Sequence, residues 1–473
     1  MKPHTIRLLC VSGLLTVLCH PAAAQEGLME IYQRALQNDP AIREAEARYL
    51  ANSEVKPQAR AQLLPSLSFS TSTTGSFNEN PVAPTDPETG ENIGGISGYE
   101  SDSDSFGWQL SVNQTVFDWS QILSLRQADK RVVQAQTEYE AQRQQLLLRV
   151  AEAYFNVLAA EDSLEAQRVA REALERQLEQ AQRRFDVGLI AITDVQERQA
   201  GFDLAVAQEI EAQRVLATEQ ERLREIIGDY VTELASPGEE IPLVSPDPRN
   251  PDEWVQVAMR QNLALISARL AADIAQDDIA IQRAGRLPTL SFQSGYRFNE
   301  QTGTRTTKYI DGRSDLRVPS LSESEGYQWS ISLQVPIFTG GLNSSRIQQS
   351  VYQHRAQVQA AERVARETER ATRDSYLGVE SSISRVQALR QAVESAETAL
   401  RATEAGYEVG TRTSVEVQQS LEQLRRAQTD YARARYDYIL NTLRLKQAAG
   451  TLTVADIEQV DGWLETGSTA ASN

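Results

Sequence analysis

The strongest constraint on the fold of this chain is that its sequence occurs twice. The segment "FDVGLIAITDVQ" (185–196) interrupts a stretch that otherwise has the composition of a continuous helix. The segment "YEVGTRTSVEVQ" (407–418) makes the same interruption 222 residues later, with Gly188 matched by Gly410. A chain that makes the same turn twice, after the same kind of helix, is built from two copies of one structural unit.

Strand-like segments repeat at almost the same distance. "LLPSLSFSTS" (63–72) recurs as "RLPTLSFQSG" (286–295) after 223 residues, and "WQLSVNQTVF" (108–117) recurs as "WSISLQVPIF" (329–338) after 221. A near-constant offset across helical and strand-like parts indicates duplication of a whole unit, because shared composition alone would not keep the order.

The duplication and the composition divide the chain into five parts. We predict a signal peptide at 1–24, a first repeat at 25–230, a linker or equatorial segment at 231–252, a second repeat at 253–450, and an equatorial segment with a disordered tail at 451–473. Within the repeats, strands are predicted at about 64–74, 107–117, 287–298 and 327–338, and helical hairpins are predicted to turn at about 185–190 and 407–412.

The N-terminus has the features of an export signal. Lys2 and Arg7 precede a short apolar run (8–19), which ends before an Ala-rich segment (22–24). The run is too short for a transmembrane helix, which needs about 20 apolar residues. Cys19 could in principle be a lipid-attachment site, but the bulky Leu18 before it argues against that.

Composition excludes several kinds of chemistry. Both cysteines of the chain lie in the predicted signal, and His354 is the only histidine after it. We therefore expect no disulfide, no thiol nucleophile, no metal site and no cofactor. A formal net charge of −18 argues against nucleic acid as a partner, since nucleic acid attracts basic surfaces.

The four predicted strands alternate apolar and polar residues with a period of two. Each is about ten residues long, with one apolar face and one face rich in Ser, Gln and Asn. This is the pattern of a transmembrane β-strand that faces lipid on one side and a wet lumen on the other. A soluble sandwich with one solvated face is the alternative. Aromatic residues near the strand ends favour the membrane, and we interpret them as an interfacial girdle: Trp108, Phe117, Trp119, Trp329 and Phe338. Long polar loops are expected at 76–105 and 299–326.

Four strands cannot close a barrel, because the smallest membrane barrels have about eight. An open sheet would leave unpaired edges in hydrocarbon. The chain must therefore form an oligomer, and two, three or four copies would supply about 8, 12 or 16 strands.

The remaining sequence predicts very long helices. No proline interrupts 120–184 or 342–406, and each stretch would extend on the order of 100 Å at 1.5 Å per residue. After each Gly turn a second helix runs back. In the last of these helices, residues recur every seven positions, which is typical of coiled-coil packing: Val417, Leu424, Tyr431, Tyr438 and Leu445.

Four segments resemble the TolC-like family of outer membrane efflux and secretion channels: "AYFNVLAAEDSLEAQ" (153–167), "RRFDVGLIAITDVQ" (183–196), "LPTLSF" (287–292) and "AGYEVGTRTSVEVQ" (405–418). The resemblance follows nearly the whole chain after the signal. It implies a homotrimer with a 12-stranded β-barrel, four strands per chain, continuous with a coiled-coil α-barrel. It also implies an outer membrane location with the helices in the periplasm. A periplasmic adaptor and an inner-membrane pump or ABC exporter would be the partners.

The resemblance also implies roles for residues at the turns. Tyr407 and Arg412 match the inner members of polar links that hold the periplasmic gate shut, and Thr193 and Asp194 match the outer members. The exposed turns that would dock the adaptor are Gly188, Leu189, Gly410 and Thr411.

The pore constriction departs from the family pattern. Two aspartates three residues apart are replaced here by Glu416 and Gln419, so threefold symmetry would give one ring of carboxylates instead of two.

A structural protein, an enzyme and a metal-ion duct are the alternatives to a channel for small compounds or proteins. An exported structural coiled-coil protein without a pore is the main alternative. The sequence does not favour an enzyme, since no Cys and only one His follow the signal, there is no Gly-rich phosphate loop or metal-ligand cluster, and nothing arranges Ser and Asp residues as a catalytic site. A metal-ion efflux duct has none of the Met-rich or His-rich features expected for soft metals, with three Met in the whole chain. We therefore predict a passive duct for efflux of small toxic compounds, for type I protein secretion, or for both, whose substrates the sequence does not specify.

Overall fold

A computed structural model describes residues 25–82, 85–86, 88–91, 95–231, 233–238, 241–310 and 312–465. The predicted signal peptide (1–24) and the predicted disordered tail (466–473) lie outside the described residues.

The two halves of the chain share the order of short helices, two long strands and two long helices, and each half ends in a short strand. The first half contains α1 (Leu28–Asn38), α2 (Pro40–Ser53), α3 (Val55–Ala61), β1 (Ser66–Pro81), β2 (Ile96–Phe117), α4 (Trp119–Asp186), α5 (Ile192–Ile227) and the short β3 (Ser236–Pro237). The second half contains α6 (Pro251–Gln261), α7 (Leu263–Ala284), β4 (Thr289–Tyr309), β5 (Leu316–Gln334), α8 (Leu342–Glu408), α9 (Ser414–Ala449), α10 (Val454–Asp461) and the short β6 (Leu464–Glu465).

The long helices show the duplication most clearly. Helices α4 and α8 have 68 and 67 residues, and α5 and α9 have 36 each. None of the four contains proline, and all are rich in Ala, Leu, Glu, Gln and Arg, which lose little side-chain freedom in a helix. The prediction of a mainly helical, internally duplicated chain with four strands in one sheet is confirmed.

The heptad stripe of α9 faces the interior. Val417, Tyr438 and Leu445 are buried, and Leu424 and Tyr431 are half-buried. Since no member of the stripe is exposed, the seven-residue repeat marks the packed side of this helix.

The described residues form two compact units. The sheet unit comprises the described residues within 46–139 and 263–366, and the helical unit comprises those within 25–45, 140–262 and 367–465. The long helices α4 and α8 contribute a segment to each unit.

The sheet unit is built around one antiparallel sheet with the strand order β1-β2-β4-β5. Strand β1 pairs with β2 from Ser66–Asn113 to Pro81–Gly98, and β4 pairs with β5 from Thr289–Gln334 to Thr307–Leu316. The central pair, β2 and β4, joins the two halves of the duplicated chain. Strands β1 and β5 are therefore the edges of the sheet within one chain.

The apolar residues predicted by the alternation lie on one face of this sheet. Trp108 is opposite Phe298 in the register, and its ring lies 5.5–6.2 Å from the rings of Phe69, Tyr296 and Phe298. Trp329 belongs to the same apolar set, and both Phe69 and Trp329 are exposed in the single chain. A large exposed apolar face of this kind marks a surface that is covered by lipid or by another molecule.

The strands are longer than the alternation predicts. Strands β1, β2, β4 and β5 have 16, 22, 21 and 19 residues. The expected loops at 76–105 and 299–326 are wrong, because much of each belongs to the ladder. These segments are rich in Ser, Thr, Asn and acidic residues, so they lack the apolar face that reveals a strand. Their backbone still pairs, and side chains such as Ser76 and Ser103 bond across it at 2.9 Å.

The core of the helical unit contains aromatic residues from α4 and α9. The buried Tyr154 hydroxyl donates a hydrogen bond to the Ala235 carbonyl at 2.6 Å, which anchors the segment after α5. Phe155 stacks on Tyr436 with ring centroids 5.6 Å apart. The Tyr436 hydroxyl in turn donates to a carboxylate oxygen of Asp162 at 2.7 Å.

No helix in the described part of the chain combines the length and the apolar character needed to cross a membrane.

The end of α9 is a tight crossing of two backbone segments. Gly450 has a positive φ of 76°, and a Cβ atom placed on it would lie 2.3 Å from the carbonyl oxygen of Gln261. Asn262 donates from its side chain to the Ala448 carbonyl at 3.0 Å, which fixes the same crossing. The position therefore requires glycine for space as well as for backbone conformation.

We expect Gly450→Ala to destabilise the protein more than Gly188→Ala. Gly188 has the same φ of 76°, but a Cβ atom on it would have no neighbour within 4 Å, so it isolates the conformational cost. That cost is about 1–2 kcal/mol, and overpacking at Gly450 adds about 1–3 kcal/mol. Melting temperatures followed by circular dichroism should fall clearly further for Gly450→Ala. Equal decreases would show that the crossing at Gln261 relaxes freely.

Two neighbouring acids on α4 make the stability of the helical unit dependent on pH. Burial raises the pKa of Asp162, against hydrogen bonding by Tyr436 and the charge of Arg435. Burial, Asp162 and Glu233 together raise the pKa of Glu161. The native state then binds more protons than the unfolded state between the ordinary carboxyl pKa and the raised value, so stability rises as pH falls through this window.

We expect Asp162→Asn to remove part of this pH dependence. The amide oxygen can still accept the Tyr436 hydroxyl, but no charge is buried. The melting temperature of the variant should match or exceed that of the parent at neutral pH, and this advantage should shrink as pH falls to about 5. Asp203→Asn, which removes an exposed acid of α5, controls for the loss of charge. A difference that stays constant with pH would contradict the buried-carboxylate account.

Candidate gate at the two helical turns

Both Gly turns close with the same hydrogen-bond pattern. At the first turn, Gly188 N–H donates to the Phe185 carbonyl (2.8 Å) and Leu189 N–H to the Arg184 carbonyl (2.9 Å). This is the Schellman motif, in which a left-handed residue satisfies the last carbonyls of a helix.

At the second turn the corresponding bonds run from Gly410 to Tyr407 (3.0 Å) and from Thr411 to Gly406 (2.9 Å). Gly188 and Gly410 have φ of 76° and 80°, so the glycines stop α4 and α8 for the same backbone reason.

The two helices that follow begin differently. Helix α9 starts with a capping box, in which the Glu416 N–H donates to the Thr413 hydroxyl (3.4 Å) and the Thr413 N–H donates to the Glu416 carboxylate (3.0 Å). Ala191 occupies the equivalent position before α5 and provides no side-chain cap. The second turn is therefore the more firmly closed of the two.

Glu416 is a capping residue as well as a predicted pore residue. The backbone N–H of Thr413, followed by the charge of Arg412, lowers the pKa of Glu416. The Arg412 guanidinium lies 3.4 Å from the Glu416 carboxylate, one turn along the same segment. The carboxylate is thus held ionised. Gln419 lies exposed on the next turn of α9.

Among the described residues of one chain, no hydrogen bond or ion pair joins Tyr407 or Arg412 to Thr193 or Asp194. Thr193 is exposed and Asp194 half-buried in the first turn of α5. In the described part of a single chain no ion pair joins Asp194 to Arg412. A single chain does not test contacts between the chains of an oligomer, so the predicted links stay a prediction.

Tyr407 contacts a residue that the sequence did not single out. Arg198 of α5 donates from Nη2 to the Tyr407 hydroxyl at 2.7 Å, and its guanidinium carbon lies 5.3 Å from the centre of the Tyr407 ring. Arg198 follows Asp194 by four positions, so both lie on the same face of α5. That spacing is the only sequence signal that could have indicated it.

The first turn is supported by a small apolar core. Leu178 and Ala181 of α4 pack against Val195 of α5, with Ile190 and Phe202 at its border. This core fixes the α4–α5 hairpin near the turn.

The tips of the turns are apolar and exposed. Val187, Leu189 and Val409 have 69 %, 70 % and 75 % of their surface accessible. Such side chains gain from being covered by another molecule, and the predicted docking residues Gly188, Leu189, Gly410 and Thr411 lie directly among them.

The predicted girdle residues occupy different positions in the sheet unit. Trp108 lies within the aromatic stack, Phe117 ends β2, and Trp119 begins α4 with Arg126 over its ring. Trp329 is exposed on β5, and Phe338 is 87 % exposed after that strand. Their position in the membrane stays a prediction.

No group of three or more His, Cys, Asp or Glu side chains in the described residues stands close enough to hold a metal ion.

Comparison with known proteins covers almost the whole chain. The outer membrane efflux protein family matches residues 31–229 and 254–451. The outer membrane protein TolC of Vibrio cholerae is 35 % identical over 457 residues, which are 97 % of this chain and 98 % of that protein. The alkaline protease secretion protein AprF of Pseudomonas aeruginosa is 29 % identical over 97 % of this chain and 92 % of its own length.

A solved structure has the same fold. The CmeC outer membrane channel of Campylobacter jejuni superposes with a TM-score of 0.71 at 14 % identity, over 98 % of this chain and 99 % of that one.

Proposed function

The chain belongs to the outer membrane efflux protein family, and from this premise we propose how it assembles and opens. It is an outer membrane channel for efflux and type I secretion, with a helical part in the periplasm, and it is not an enzyme. The observation that carries the function is the family match over both halves of the duplicated chain. No comparison supports a structural coiled-coil protein without a pore.

We propose that three copies form the channel. Strands β1 and β5 are the edges of the four-stranded sheet, and pairing β1 of one copy with β5 of the next would close a barrel of 12 strands. Closure would pair the backbone groups of both edges, which hydrocarbon requires. It would also turn the exposed apolar face of the sheet toward lipid, with the aromatic girdle near its borders.

The gate in this proposal lies at the ends of the long helices. Tyr407 and Arg412 on the inner coil would link to Thr193 and Asp194 on the outer coil of the same or a neighbouring copy. The Arg412 side chain is 58 % exposed and engages only its near neighbour Glu416 among the described ion pairs, so it can reach across an interface. Exposed ion pairs are individually weak, about 0–1 kcal/mol, so a docking partner could break such links.

We propose that the partners are a periplasmic adaptor and an inner-membrane pump or ABC exporter. The exposed apolar side chains at the turns support docking at this end of the helices. The same surface occurs twice in each chain because the turn is duplicated, so three copies would present six similar tips. The exporter would supply the energy, and the substrate would be chosen there and not in the duct.

We expect Leu189→Asp to abolish transport without abolishing the pore. A charge at an apolar docking tip should prevent adaptor binding, while the strands are untouched. In a host that lacks its own duct, the parent should restore extrusion of a fluorescent dye and secretion of a type I substrate, and Leu189→Asp should restore neither. Val169→Asp, at an exposed site on α4 away from the turn, is the matched control. Normal extrusion by Leu189→Asp would rule out docking at this turn. No rescue by the parent would contradict the proposed function.

We expect the constriction to bind multivalent cations weakly. Glu416 would give one ring of three carboxylates, whereas Gln419 is neutral, and field strength near an axis grows with the number of like charges. Block of single channels by a trivalent cation should need a concentration several-fold higher for the parent than for Gln419→Asp. Gln419→Glu is a second test of the same ring, and Gln199→Asp on α5 controls for added charge elsewhere. Equal block of parent and Gln419→Asp would show that residue 419 does not face the pore.

A further inference from the structure

Arg198 joins three helices near the turns of the two helical hairpins. From α5, its Nη2 donates to the Tyr407 hydroxyl of α8 at 2.7 Å, and its Nη1 donates to the Gln177 amide oxygen of α4 at 3.1 Å. All three side chains are half-buried. Two directed bonds and one ring contact therefore meet in a single side chain.

The geometry depends on the shape of the guanidinium group. A planar fork can donate to two acceptors on different helices while its face covers an aromatic ring, and the guanidinium carbon lies 5.3 Å from the Tyr407 centroid. A lysine ammonium is a point charge on a flexible stem, and it would hold one of these acceptors at a time. The contact thus requires arginine and not only a positive charge.

Both acceptors of Arg198 are neutral. Within the part of the chain that the structure describes, no carboxylate lies within ion-pair distance of this guanidinium, whereas Arg412 contacts the Glu416 carboxylate. Bonds from an always charged guanidinium to neutral groups do not require a carboxylate to be ionised. They are also less sensitive to salt than an exposed ion pair is.

The position of these residues separates a fixed from a movable part. Gln177 and Arg198 lie on the α4–α5 hairpin, which the core of Leu178, Ala181 and Val195 makes rigid. Tyr407 lies three residues before the Gly410 turn, on the α8–α9 hairpin. Further along α5, a Cβ atom on Gly201 would lie 2.7 Å from the Gln418 side chain of α9, so the two hairpins are in close contact here.

We propose that Arg198 is a positioning residue of the gate, which holds the end of α8 against the α4–α5 hairpin and must release Tyr407 when the channel opens. The inference rests on the proposed gate at the turns. It adds a link that does not depend on carboxylates, so the closed state has one contact that salt and acid leave intact and that an adaptor must displace mechanically.

The test is single-channel conductance in planar bilayers. The parent should form low-conductance channels, and Arg198→Ala should raise the conductance several-fold. Arg198→Lys, which keeps the charge, should open the channel nearly as far as Arg198→Ala. Tyr407→Phe removes the acceptor but keeps the ring, so it should have an intermediate effect. The double variant should conduct no more than Arg198→Ala alone, because both changes act on one contact.

Three controls make the result specific. Arg183→Ala removes an exposed arginine of α4 that pairs only with Glu179 of its own helix among the described ion pairs, and it should leave conductance unchanged. The melting temperatures of Tyr407→Phe and the parent should differ little. If Tyr407 had a merely structural role, the substitution would instead lower the melting temperature without opening the pore. The increase caused by Tyr407→Phe should persist at high salt.

The outcomes separate this inference from the proposed function. Low conductance in the parent and in Tyr407→Phe and Arg198→Lys alike would overturn the inference and leave the duct intact. Opening by Arg198→Ala but full closure by Arg198→Lys would also overturn it, since charge alone would then be sufficient. Absence of any channel from folded parent oligomer would overturn the proposed function, and the inference with it.

Discussion

The structure depends on the need of every backbone N–H and C=O group in hydrocarbon to have a partner. One chain provides a sheet of four strands whose two outer edges, on β1 and β5, have no partner strand among the described residues. A channel that lies in the outer membrane must satisfy these edges with further copies of itself. The proposed oligomer therefore follows from the sheet, and the duplication explains why each chain contributes an even number of strands.

The helices obey a different constraint. They have water and each other as surroundings, so they can extend as long as helix-forming residues continue, and they end only where the backbone is made to turn. Gly188 and Gly410 provide that turn in both halves of the chain with the same Schellman bonds. The two halves differ immediately afterwards, where α9 has a capping box and α5 has none. The backbone of the turn is thus the same in both halves of the chain, while the side chains that follow it differ.

Much of this architecture could be predicted because it rests on local periodicity. Period-two alternation located all four strands, and uninterrupted helix formers located the four long helices. The strands were predicted too short, since Ser- and acid-rich segments pair through their backbone and show no apolar face. The capping box could also have been predicted, because Thr413 and Glu416 have the required spacing. From the sequence, Glu416 was interpreted only as a pore residue.

The contacts between helices were not predictable in the same way. Arg198 meets Gln177 and Tyr407, which lie 21 and 209 residues away in the sequence, and no spacing rule connects them. Its importance follows from three helices packed side by side, which only the folded chain reveals. Links between copies, such as that proposed for Arg412 and Asp194, require in addition the assembled channel.

The most direct test of this account is the mass of the folded, detergent-extracted protein by native mass spectrometry. Three chains per particle would match a closed barrel of 12 strands with every edge paired. A particle of two or four chains would contradict the proposed closure, and a stable monomer in the membrane would contradict the argument from unpaired strand edges itself.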